Sequence, residues 1–362
     1  MERAMTIADL RRFAIARSLF PRTTLRRALS NLRFVQADPI RAPARAQDLI
    51  LHQRVIDYRA GDLERRYAKL DLEEDYFINY GFVKDAVYDL MHPRSGMSPW
   101  PKGHKKLAQA VLDFVRERGS AHPRQVDDHF AHGTTTNYWG GTSNSTTRLL
   151  DALHFRGLLR VAGRARGIRL YSVREPVQQE DGDPAARIDA LVDVLVNQYA
   201  PLPRASLSNA VSRLRFCVPQ WHGHLRGALL RAKQRLSHAH VDGADWYWPA
   251  GEHPRSFEPQ DEVRLLAPFD PVVWDRRRFE IFWGWGYRFE AYTPLPKRKL
   301  GYYALPMLWR DRVIGWANVS VQDSLLRVDA GYVESRPARD RAFQQALEAE
   351  LERMRLFLSL KS

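Results

Sequence analysis

The segment Phe34-Val35-Gln36-Ala37-Asp38-Pro39-Ile40 sets an amide and a carboxylate two residues apart beside a proline. Side chains alternate along an extended chain, so Gln36 and Asp38 point to one side while Val35 and Ala37 point to the other. A carboxylate aimed into a pocket can accept a proton from water and offset positive charge developing on a reacting carbon, and an amide can orient that water. Pro39 disfavours a helical Asp38. The same residues also fit a structural role, in which Asp38 opens an Asp-Pro turn and Gln36 bonds to backbone. Spacing alone does not separate the two readings, because Gln125-Val126-Asp127 repeats the pattern on what looks like a solvated helix face.

The elements that must position this segment follow from apolar periodicity. Thr6-Ile7-Ala8-Asp9 is a capping-box-like start, and Ile7, Leu10 and Ala14 share one face of a helix reaching about residue 20. Pro21 interrupts it, and Leu25, Ala28, Leu29 and Leu32 predict a second helix over 23–32. Further on, Leu107, Val111, Phe114 and Val115 mark a helix, Val126 and Phe130 a shorter one after Pro123, and Leu149, Leu150 and Leu153 a third over 143–156. Two short strands, 158–162 and 168–173, follow around a basic turn at 163–167. Three helices and a basic hairpin describe a winged helix-turn-helix.

A polar linker over 175–185 precedes a similar order: a helix with Ile188, Leu191, Val192, Leu195 and Tyr199, another with Leu225, Leu229, Leu230 and Leu236, and a hairpin turning at Asp242-Gly243. From about residue 259 the texture changes to strands at 263–266, 288–292, 301–308, 313–319 and 325–328, closed by a helix over 338–356. The expected fold is therefore α+β, with about three tandem winged modules packed around a C-terminal β-barrel-like domain that ends in a helix. The expected domains are 1–96, carrying the Gln36/Asp38 motif, 97–174, 185–258 and 259–362.

Composition narrows the function. The 362 residues carry 56 Lys and Arg against 42 Asp and Glu, a net charge of +14 dominated by arginine, whose planar fork suits phosphate. That excess favours a polyanionic partner, although a basic, arginine-rich composition spread over the surface would give the same sum. The single cysteine, Cys217, excludes an intramolecular disulfide framework and any multi-thiolate metal or iron-sulfur site. No apolar run approaches a membrane span and the first residues lack a secretory leader, so a soluble, cytoplasmic protein is expected, associated with the nucleoid when bound to DNA. No coiled-coil pattern is present, and a monomer is expected.

The stretch from Phe34 through Asp38-Pro39-Ile40, Arg45-Ala46, Leu49-Ile50-Leu51, Arg54 and Asp57-Tyr58 resembles the YcaQ-like and AlkZ-like DNA glycosylases of crosslink repair. The resemblance continues through Trp139-Gly140-Gly141, through residues 267–278 with Phe269-Asp270-Pro271 at their centre, and through residues 287–292, Lys297-Arg298-Lys299 and 301–306. It implies tandem winged helices around a barrel-like domain, and excision of alkylated purines, including those in interstrand crosslinks. It also implies a catalytic glutamine, an apolar residue, then glutamine or aspartate. Gln36-Ala37-Asp38 matches the aspartate version, that of the YcaQ branch. The resemblance further implies histidines near Gln47-Asp48, so the lining of this pocket is expected to differ.

The implied chemistry suits these side chains. A purine alkylated at N7 is cationic and departs neutral without an acid, so the sugar needs charge stabilisation and a guided water. The expected roles are Asp38 as stabiliser and proton acceptor, and Gln36 as the group orienting the water. No lysine in the motif offers a Schiff base, so a monofunctional hydrolase acting on double-stranded DNA is expected, with no cofactor and no metal. Candidate DNA contacts are Arg45; Ser143, Asn144, Ser145, Thr146 and Arg148 at a helix start; Arg164 and Arg166 at a hairpin tip; and Arg276, Arg277, Lys297 and Arg298. Helix initiation and solvated arginines are the plain alternatives. His222-Gly223-His224 and His238-Ala239-His240 lack helical ligand spacing, and Trp283-Gly284-Trp285-Gly286-Tyr287 reads as core more than as a base-stacking platform. The rival functional reading is a non-catalytic winged-helix DNA-binding protein or regulator.

Overall fold

The computed structural model describes residues 4–97, 100, 104–130, 134–136, 142–175, 182–254, 258–334 and 340–360. The motif piece Trp139-Gly140-Gly141 lies outside them. The fold is mixed α and β and divides into two compact units. One gathers the chain up to Leu63, Val192–Val211 and the chain from Leu229. The other holds Glu64–Leu191 and Ser212–Ala228.

In the first unit the helix Ile7–Ser18 starts at Thr6, whose hydroxyl accepts the Asp9 N–H while the Asp9 carboxylate accepts the Thr6 N–H. Thr24 caps the helix Leu25–Leu32, and Arg33, in the left-handed region at φ 60°, ends it and turns the chain into the strand Phe34–Gln36. The helix Ala46–His52 follows. The hairpin Ser237–Val241 and Ala244–Trp248 turns at Asp242-Gly243 as expected, both at positive φ, and Leu202–Pro203 adds a third strand.

The C-terminal region departs from expectation. Among the described residues it is an open four-stranded antiparallel sheet of Val263–Leu265, Leu305–Trp309, Arg312–Gln322 and Leu325–Tyr332 in that order, not a closed barrel. The stretch 288–292, expected as a strand, has no ladder partner among the described residues. Ahead of it stand two helices, Pro271–Trp274 and Arg276–Trp283, capped by Asp270 and Asp275. Aromatic residues in this region follow no two-residue period because they converge on one core: Phe279 and Tyr287 are buried there with Leu266, Val272 and Leu308, and Trp283 and Trp285 pack against it. The final helix Arg341–Phe357 buries Phe343, Ala346, Glu350, Met354 and Phe357, whereas its apolar spacing puts Phe343, Leu347, Leu351 and Met354 inward; Leu347 and Leu351 are only half-buried.

The second unit contains the helices His104–Arg118, Pro123–Phe130 and Ser145–Phe155, then the hairpin Leu159–Ala165 and Ile168–Val173. This is the helix, helix, helix, hairpin order expected, around Val111, Val115, Val126, Leu150, Leu153 and Tyr171. Arg166 and Gly167 make the turn at φ 50° and 83°. An additional hairpin, Leu72–Tyr76 with Tyr80–Lys84, was not read from the sequence. The helix Leu225–Arg235 buries Leu225 and Ala228, while Leu230, read on its apolar face, is exposed.

Candidate active site

Gln36 closes the strand Phe34–Gln36, and all three of its residues are buried, so burial here does not alternate as an exposed strand would. Two residues on, Asp38 is half-buried in the loop leading to the helix Ala46–His52. Its Oδ1 accepts the Ile40 N–H at 2.9 Å, and its own N–H reaches Gln47 Oε1 at 3.4 Å. The turn contact of the structural reading is therefore present, and it occupies Oδ1 alone. Burial raises the Asp38 carboxyl above the ordinary carboxylate range, against the pull of the Ile40 N–H.

Three tyrosines that the sequence reading left without a role complete the surroundings. The Asp38 charge raises the phenols of Tyr292 and Tyr303, in each case after burial itself. Tyr302 and Tyr303 line a cavity of about 390 Å³ together with Ala42, Asn318 and Arg327. Tyr292 is exposed, whereas Tyr303 is buried. Their one sequence signal was membership in the aromatic segments 287–292 and 301–306. Gln47 and Asp48, near which the resemblance implies histidines, are both buried. The Asp48 carboxylate accepts the Tyr58 hydroxyl at 2.8 Å and the Gly61 N–H at 2.9 Å.

The candidate DNA contacts separate into two kinds. Arg45 is half-buried at the start of the helix Ala46–His52. Arg276 donates to the Val273 and Pro268 carbonyls and lies over the Tyr287 ring, so its fork is spent internally, whereas Arg277 beside it is exposed. Lys297 is exposed, and Arg298 donates to the Thr293 carbonyl at 2.7 Å beside Tyr302. In the second unit Ser143 and Asn144 fall in the short strand Thr142–Asn144 and Ser145 starts the helix. Thr146 is buried with its hydroxyl on Asp127, and Arg148 is exposed. Arg164 reaches the buried Glu74 at 2.6 Å, while Arg166 at the turn is exposed.

The aromatic run lies in the core: the Trp283 and Trp285 indoles donate to the Asp311 and Val313 carbonyls, and the Tyr287 hydroxyl to that of Ala304. His240 faces Asp245 at 2.9 Å, and His238 stacks on Tyr247. Among the described residues no three His, Cys, Asp or Glu side chains gather as a metal site, and no helix is long and apolar enough to cross a membrane.

A strongly basic chain with a half-buried carboxylate near a tyrosine-lined cavity has the parts of an enzyme acting on a polyanion, and comparison with known proteins makes the class explicit: it is a DNA glycosylase. A sequence model described as DNA glycosylase AlkZ-like matches residues 29–357, and the chain belongs to that AlkZ-like family. Among solved structures the fold is similar to that of the Streptomyces sahachiroi DNA glycosylase AlkZ, with a TM-score of 0.65 over 98% of this chain and 97% of that one, at 14% identity.

Proposed function

We propose that this glycosylase hydrolyses the N-glycosidic bond of N7-alkylated purines in double-stranded DNA, including those in interstrand crosslinks, and leaves the DNA strand intact. The observation that carries the reading is Asp38: a carboxylate with one oxygen committed to a turn, raised proton affinity from burial, and a tyrosine-lined cavity close by. A base whose proton affinity lies nearer neutrality takes a proton from water more readily than an exposed aspartate does.

In this reading Asp38 stabilises the oxocarbenium-like sugar and accepts the water proton, and Gln36 orients the water. The purine leaves with the electrons of the C1′–N9 bond, which cancel its N7 charge, so no acid is required. An unmodified guanine would leave as an anion, and that difference supplies selectivity without a tight pocket. A base tethered to the opposite strand cannot swing fully into a closed cavity, so an open site suits crosslinks. The Gln-Ala-Asp motif belongs with the aspartate branch of the family. The divisions 1–96, 97–174, 185–258 and 259–362 serve as the working modules, the first three as winged helices, and the protein acts as a monomer.

The test is release of base from duplex DNA containing N7-methylguanine or a nitrogen-mustard crosslink. Asp38→Asn should bind DNA as the wild type does and release base at least about 100-fold more slowly. Release by that variant at the wild-type rate would remove Asp38 from the reaction. Strand scission without added alkali would contradict the monofunctional assignment.

A further inference from the structure

Tyr303 stands apart from the other buried tyrosines of its unit. The Tyr58 hydroxyl donates to Asp48 and the Tyr287 hydroxyl to the Ala304 carbonyl. Tyr303 is only 2% exposed, yet among the described residues its hydroxyl has no hydrogen-bond partner. Its ring is fixed by an edge-on contact with Phe289 at 5.3 Å, so the hydroxyl is held in place. Leaving a buried hydroxyl unpaired costs about 1–3 kcal/mol, a cost that binding a polar group can offset. Tyr303 lines the 390 Å³ cavity, which Ala42, four residues beyond Asp38, also lines. Asn318 lines the same cavity, and among the described residues its buried amide oxygen lacks a partner, its nitrogen being committed to the Leu300 carbonyl at 2.8 Å.

We propose that Tyr303 is a third catalytic residue, its hydroxyl and the Asp38 carboxylate holding the hydrolytic water between them. The assignment rests on the glycosylase reading above. The water donates one hydrogen to Asp38 and the other to Tyr303 Oη, which turns its lone pair towards C1′. As the C1′–O bond forms, the C1′–N9 bond breaks and its electron pair returns to the purine ring. Asp38 takes one proton. Tyr303 transfers none, because burial and the nearby Asp38 charge both raise its phenol and keep it protonated. Its contribution is position, so the ring can remain while the oxygen is removed.

The experiment compares wild type, Asp38→Asn, Tyr303→Phe and the double variant in single-turnover base release from N7-methylguanine duplex, alongside DNA affinity and melting temperature. Tyr303→Phe should lower the rate constant about 10- to 100-fold with DNA affinity unchanged and a melting temperature no lower than that of the wild type, since an unpaired buried hydroxyl is removed. The double variant should be no slower than Asp38→Asn alone, since both groups act on one water. A wild-type rate in Tyr303→Phe, a loss explained by melting or by weaker DNA binding, or multiplicative losses in the double variant would each overturn the role of Tyr303 and leave the glycosylase reading in place. Failure of the wild type itself to release base would instead overturn that reading, and this assignment with it.

Discussion

Arg54 and Asp270, 216 residues apart in sequence, form a bidentate ion pair with both side chains fully buried, at 2.7 and 2.9 Å. Arg54 also donates to the Ser18 and Ile50 carbonyls, and Asp270 caps the helix Pro271–Trp274 through the Val272 N–H. The pair therefore ties the end of the helix that follows the Asp38 loop to the Pro-Phe-Asp-Pro segment that the family resemblance singled out.

Breaking one side of this pair leaves a buried charge without its partner. Arg54→Met should lower unfolding free energy by about 3–5 kcal/mol, and Arg54→Met with Asp270→Leu should recover part of that loss. Recovery stays incomplete because Asp270 is also a helix cap. Denaturant midpoints measure both, and a wild-type midpoint for Arg54→Met would show that the pair contributes nothing net.

Arg164 and Arg166 were equivalent candidates for DNA contact, and their surroundings divide them. Arg164 is held by Glu74, which is 2% exposed, and by the Gly167 carbonyl, whereas Arg166 is exposed at the hairpin turn. Arg164→Ala should lower the melting temperature because it removes a charge partner from the buried Glu74. Arg166→Ala should leave melting unchanged, weaken binding to duplexes of any sequence alike, and reduce the slope of log affinity against log salt by about one. Equal salt slopes for Arg166→Ala and wild type would remove that residue from the interface.

Burial lowers the imidazoles of His52 and His154 from 6.5 to about 4, against the nearby carboxylates of Glu350 and Asp75 respectively. Between those values the unfolded chain binds protons that the folded chain does not. Stability is therefore fully present above about pH 6.5 and falls as pH drops towards 4, each histidine withdrawing up to about 3 kcal/mol. Melting temperature measured from pH 7 to pH 4.5 should decline over this window, and His52→Phe should flatten the decline. His52 already stacks on Phe357 at 4.4 Å, so a neutral ring fits the site. A melting temperature constant over that range would mean that neither group is held neutral by burial.

Local patterning determined what local forces control. Thr6 with Asp9 specified a helix start, Asp242-Gly243 a tight turn and 163–167 a longer turn that the structure narrows to Arg166-Gly167, and apolar spacing specified which faces of the helices at 25–32 and 104–118 turn inward. The Gln36-Ala37-Asp38 motif was legible for the same reason, since Pro39 limits its backbone and the residue types name their chemistry. Only the tertiary structure decided that Tyr303 and Asn318 line one cavity, that Arg164 is spent on Glu74, and that Arg278 is a wholly buried backbone donor while Arg277 beside it faces solvent. Periodicity records whether a residue is buried, because burial repeats with the helix or strand. It does not record which distant side chain meets it there, because that depends on how separately folded elements pack, and in this enzyme Tyr292 and Tyr303 join the local partners Ile40 and Gln47 near Asp38 from a remote part of the chain.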